Sequence, residues 1–171
     1  MLRRLTLIAL VLGLWGCGEE ARIKELTTYV KAIQNFNSYN ERVERFILQF
    51  DEVSLQVTQE DLVKARALLE EYAAVVGRLE EDFGGDLDDS MLRNTHGLYV
   101  RIFDDTRMLA RDETGDMRRQ AQSIAIGFRN LRRSIEDRVY PSLEVLLTRE
   151  GLEGGENALV WPKVAPPGSN N

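Results

Sequence analysis

The chain has 171 residues, 29% of them charged, with a formal net charge of −6 and a single Cys and a single His. That length suits one domain large enough for a real core. A lone Cys excludes a disulfide framework, and one Cys with one His excludes a Cys/His zinc site. The acidic balance argues against nucleic acid as the main partner, because phosphate binding needs a basic face.

The first element is a basic start, Arg3 and Arg4, followed by the mostly apolar run Leu5 to Trp15, LTLIALVLGLW. This run is too short for a membrane-spanning helix, which needs ~20 residues. It has the layout of a secretory signal peptide. It ends in Leu14-Trp15-Gly16-Cys17, and Glu19-Glu20 open the polar part of the chain.

Leu14-Trp15-Gly16-Cys17 resembles the lipobox of bacterial lipoproteins, with Leu at −3, a small Gly at −1 and Cys at +1. The resemblance covers residues 1–20 and implies nothing about the rest. It implies a diacylglyceryl group on the Cys17 sulfur and removal of the signal peptide, residues 1–16. It further implies acylation of the new amino terminus, with palmitate as a typical chain. Gly18 at +2, in place of Asp, implies sorting to the outer membrane, facing the periplasm, in a host that has one. Several acyl chains anchor firmly without a transmembrane helix.

The body, residues 17–150, reads as four helices at about 20–57, 60–83, 88–112 and 116–149. Ile23, Leu26, Val30, Ile33, Phe36, Tyr39, Val43, Phe46, Phe50, Val53 and Val57 recur in steps of three and four, the helical period. An extra step of three between Ile33 and Phe36 slips the phase and overwinds a coiled-coil stripe. Thr58 reads as the N-cap of the second helix, with acids in its first turn. Leu62, Ala65, Leu69, Tyr72, Val76, Leu79 and Phe83 form its stripe, and Gly84-Gly85 end it. Asp86 or Asp88 is the expected cap of the third helix, whose stripe includes Met91, Leu98 and Ile102. The fourth runs from Met117 through Phe128 to Leu146, and Pro141 is expected to kink or break it. The composition of residues 151–171 predicts a tail mostly without fixed structure.

Short connections between four amphipathic helices predict an all-α fold, an antiparallel up-down-up-down four-helix bundle. The longer first and last helices are expected to form a two-helix, membrane-proximal neck. There Ile23, Leu26, Val30 and Ile33 would face Val139, Leu143, Leu146 and Leu147. The Gly84-Gly85 end of the four-helix head would lie level with Ile33 to Phe36 and with Tyr140.

Chemistry is sparse. His96 is preceded at −3 by Arg93, so the Glu-x-x-His pair of di-iron bundles is absent and His96 reads as a flank residue. Haem, P-loop, dinucleotide and nucleophile-elbow motifs are missing too, which predicts no catalysis and no cofactor. Glu80, Glu81 and Asp82 crowd a helix C-terminus, where the dipole opposes them. With Asp86, Asp88 and Asp89 they make a solvated turn. Asp82, Asp86, Asp88 and Asp89 are a weak candidate cation site, although EF-hand spacing fails. Arg118, Arg119, Arg129, Arg132, Arg133 and Arg138 read first as interhelical ion-pair partners. Arg132 and Arg133 are also candidates for contact with an anionic partner. Trp161, in the apolar Ala158-Leu159-Val160-Trp161-Pro162, is expected to fold back onto the body, and is otherwise a candidate partner contact.

These features point to a lipid-anchored envelope protein that acts as a scaffold or adaptor for other envelope proteins, with the membrane as its second partner. The alternative is a ligand-sensing periplasmic bundle working with a membrane partner. A polar-lined pocket between helices would favour sensing. An exposed apolar strip over a filled core would favour the adaptor.

Overall fold

The computed structural model describes residues 2–51, 58–85, 87–111 and 116–165, and of residues 2–17 the backbone helix alone. The described residues are mostly helical, with no strand among them. They form α1 (Leu2–Gln34), α2 (Asn37–Asp51), α3 (Gln59–Phe83), α4 (Ser90–Ala110), α5 (Met117–Ser134) and α6 (Tyr140–Arg149). A π-helical turn, Ile135–Val139, joins α5 to α6, and a 3₁₀ turn, Gly155–Asn157, follows α6. No helix among the described residues is long and apolar enough to cross a membrane.

The expected first helix is two helices, and α1 starts well before residue 20. The chain divides at Asn35–Phe36, where the phase slip lies. The Phe36 N–H returns to the Ile33 carbonyl at 3.0 Å, and the Phe36 carbonyl accepts from both Tyr39 and Asn40 at 2.9 Å. One turn of the chain is thus tightened, which lets Ile33 and Phe36 both reach the core. Val53 and Val57 lie outside the described residues.

α3 begins as expected. Thr58 Oγ1 accepts the Asp61 N–H at 3.2 Å, and Asp61 Oδ2 accepts the Thr58 N–H at 3.0 Å, a capping box. Those Thr58 bonds hold the Asp61 carboxyl below the usual carboxylate range. At its other end a Cβ on Gly84 would collide with the Glu80 carbonyl, so the turn demands glycine there. The cap of α4 is Asp89, one residue beyond the expected Asp88, and Asp86 lies outside the described residues. Asp89 Oδ1 accepts from Met91 at 2.8 Å and Leu92 at 3.0 Å. α4 and α5 pack closely at Gly127, where an added Cβ would sit 3.4 Å from the Thr106 carbonyl.

An aromatic cluster fills the middle of the core. Phe36 lies 5.5 Å from both Tyr72 and Tyr99, and Tyr72 stacks on Phe103 at 5.1 Å. Such rings carry large apolar areas, about 1.5–3 kcal/mol each when fully buried. Their hydroxyls stay satisfied. Tyr72 donates to Asn40 Oδ1 at 2.8 Å and lies 2.9 Å from the Tyr99 hydroxyl, which therefore donates to it. Burial pushes both phenols above their usual range.

Pro141 does not break the last helix. The turn before it widens to the π form, and the Tyr140 N–H reaches back to the Ile135 carbonyl. Val139 and Tyr140, adjacent in sequence, are both buried as a result.

The two-helix neck is not formed. The Phe83 ring packs on Tyr29 at 5.1 Å, the Asp88 N–H bonds Glu25 Oε1 at 3.0 Å, and Arg149 pairs with Asp89 at 2.6 Å. The α3–α4 turn therefore lies level with Glu25 to Tyr29 and with the end of α6, not with Ile33 to Phe36 and Tyr140. Leu26, Val30, Ile33, Val139, Leu143, Leu146 and Leu147 are buried in one shared core.

The segment after α6 is not an unstructured tail as far as residue 165. Gly151, Gly154 and Gly155 take positive φ, which turns the chain back over the body. Gln34 Nε2 donates to the carbonyls of Glu156 at 2.7 Å and Ala158 at 3.1 Å. Leu159 and Trp161 are buried while Val160 between them is exposed, the alternation of an extended strap. Residues 166–171 lie outside the described residues.

Candidate functional site

The sequence-derived candidates fall in separate places. Cys17 sits within α1, and its side chain lies outside the described residues. Between it and Leu26, the first fully buried residue, the helix is mostly exposed.

The acidic turn is divided. Asp89 is taken up in capping α4 and pairing Arg149. Burial opposes ionisation of Asp89, but the Leu92 and Met91 N–H groups and the Arg149 guanidinium outweigh it and hold its pKa low. Asp82 lines a different recess with Lys24, Glu25, Phe83 and Leu87, and Asp88 is exposed. Among the described residues no group of three or more His, Cys, Asp or Glu side chains is arranged to hold a metal.

Arg132 and Trp161 meet at one carboxylate that the sequence reading missed. Glu44 is only 6% exposed. Arg132 Nη1 donates to its two oxygens at 2.9 and 3.1 Å, and Trp161 Nε1 donates to Oε2 at 3.1 Å. Arg132 also pairs with Glu136 at 3.0 Å. Trp161 thus folds back and is covered by its own chain. Arg133 stays exposed and pairs locally with Asp137 at 3.4 Å, as Arg119 does with Asp116 at 3.7 Å. Among these arginines the expected interhelical pairing is seen at Arg132, which ties α5 to α2.

His96 is not a flank residue. It is 5% exposed, its ring meets Tyr29 edge-on at 5.8 Å, and Nδ1 lies 3.3 Å from the Tyr29 hydroxyl. Burial lowers its pKa against the opposing charge of Glu80. Its Nε2 is buried and has no hydrogen-bond partner among the described residues. The ring lines a cleft of about 380 Å³ between α3 and α4, together with Glu80, Arg93, Gly97, Arg101 and Asp104. Leu92, His96, Tyr99 and Phe103 follow one another in helical steps, and that stripe is the signal that could have placed His96 inside.

Three of the exposed large apolar residues lie together at the other end of α4, while Val63, Ile126, Val145 and Val160 are exposed singly on α3, α5, α6 and the strap. Met108 is 71% exposed, and Leu109 and Met117 flank the same α4–α5 connection. α4 has 21 residues, so this end lies about 30 Å from its capped start at 1.5 Å per residue.

No protein-family model, no curated protein and no solved structure matches this chain.

Proposed function

We propose that the chain is a lipid-anchored protein of the bacterial envelope, held through Cys17 to the outer membrane on its periplasmic side. It works without catalysis, as a scaffold or adaptor for other envelope proteins. Its helices would form an up-down-up-down bundle, with α1–α2 and α5–α6 as the two long members. The observation that carries this reading is the asymmetry of the body. The charged α3–α4 turn lies beside the helix that leads to Cys17, whereas Met108, Leu109 and Met117 stand exposed at the far end of α4. An apolar group held away from the anchor suits contact with a second protein.

The test has two arms. Cys17→Ser should abolish lipid labelling and leave the precursor unprocessed and out of the membrane fraction. Normal processing with unchanged fractionation would refute the anchor. A photoreactive residue at position 108 in intact cells should yield a discrete adduct with an envelope protein, and one at position 81 should not. No adduct from position 108, or the same adduct from both, would refute the adaptor.

A second reading is favoured by the polar-lined cleft between α3 and α4, which suits recognition of a small molecule and hence a sensing role with a membrane partner.

A further inference from the structure

The α3–α4 cleft combines exposed charged side chains with one buried ring. Glu80, Arg101 and Asp104 make no hydrogen bond or ion pair with one another or with other described side chains. Arg93 is fixed in place, because Nε and Nη2 both donate to the Leu87 carbonyl, which leaves Nη1 uncommitted. His96 lines the cleft as its buried member, and its Nε2 has no hydrogen-bond partner among the described residues. A buried polar atom without a partner is rare and demands an explanation.

Gly97 is the second observation. Arg93, Gly97, Arg101 and Asp104 recur in helical steps and share one stripe of α4. Glycine within a helix costs stability relative to alanine. Nothing lies within 4 Å of where a Cβ at Gly97 would be. Packing does not require the glycine, so the helix gives up stability and the space stays open.

The charges define the occupant. Two guanidinium groups and two carboxylates surround a neutral imidazole. A dianion would face Glu80 and Asp104, and a cation would face Arg93 and Arg101, each a repulsive pairing. A molecule carrying both signs can pair one end with a guanidinium and the other with a carboxylate. The volume lies at the small end of the roughly 300–1,000 Å³ of ligand pockets.

We propose that this cleft binds a small zwitterion of the α-amino-acid type, its carboxylate on Arg93 and its ammonium on Glu80. The inference rests on the ligand-binding reading above and adds the ligand class. His96 is the single histidine of the chain, so its ring resonances report the cleft alone. Full-length protein in detergent, labelled at histidine, is titrated at millimolar concentration with L-alanine, L-glutamate and L-lysine. Succinate, inorganic phosphate, and acetate mixed with methylammonium are the comparison probes.

At least one amino acid should shift the His96 ring saturably, and the comparison probes should not. Gly97→Leu, which fills the space, should abolish that shift while keeping the circular dichroism and the melting midpoint. Glu80→Gln should weaken the affinity at least tenfold. A shift with succinate or phosphate but with no amino acid would overturn the zwitterion and keep ligand binding. Silence with every probe would overturn both. An amino-acid shift that survives Gly97→Leu would overturn the cleft as the site.

Discussion

His96 is the one side chain whose ordinary pKa lies in the mildly acidic range, since the chain has no second histidine. Burial lowers that pKa in the folded protein, whereas the unfolded chain titrates near ~6.5. Just below ~6.5 the unfolded state therefore binds more protons than the folded one, and stability falls as the pH drops toward the folded value. Asp61 and Asp89 have depressed pKa values, so what they contribute is present above ~4 and lost only below it. Thermal melting across the upper window should give a declining midpoint for the native chain and a flat one for His96→Gln. Parallel curves would mean that the imidazole makes no difference. Neither His96 nor Glu44 was legible as a core residue, although each sits on a helical stripe, Glu44 between Asn40 and Ile47. Their polarity argued for the surface. What keeps Glu44 inside is Arg132 and Trp161, far away in sequence, and spacing along one helix carries no sign of them.

Among the elements, periodicity and capping chemistry were readable because both are local. The stripe of α3, its Thr58 cap and its glycine end all follow from neighbouring residues. The slip at Ile33–Phe36 was readable as an irregularity, but whether it overwinds a helix or divides it depends on Tyr72 and Tyr99, which receive Phe36. Pro141 shows the same limit. A proline inside a helix removes one bond and clashes with the carbonyl four residues back, at a cost of about 3 kcal/mol. Here the π turn absorbs the missing bond, and Pro141 falls in the first turn of α6, where its lack of an N–H matters least. Pro141→Ala should therefore change the unfolding free energy by less than about 1 kcal/mol in a urea titration. A gain near 3 kcal/mol would show that the proline strains the helix.

At the scale of the molecule, a level count at constant helical rise misplaced the α3–α4 turn. The wider π turn takes more residues per turn and shortens the path from α5 to α6, while the division at Asn35–Phe36 ends the regular rise that the count assumed for the first long helix. The C-terminal strap was missed for a different reason. Its glycines and polar residues look unstructured, yet Leu159 and Trp161 hold it across the junction of α1 and α2. Trp161→Phe keeps most of the apolar area and removes the N–H that Glu44 accepts. That exchange should cost about 1.5–3 kcal/mol by urea unfolding, the range for a hydrogen bond to a charged group. A change within a few tenths of a kcal/mol would mean that Arg132 alone satisfies Glu44. The same ring has an optical consequence. The chain has two tryptophans, and cleavage before Cys17 would take Trp15 away with the leader. The mature protein would then carry a single fluorophore of its kind, sealed from water against a carboxylate. Release of the strap would move that indole into solvent and redden its emission while the helices stay intact, so the colour of the protein's own light would report one latch and nothing else.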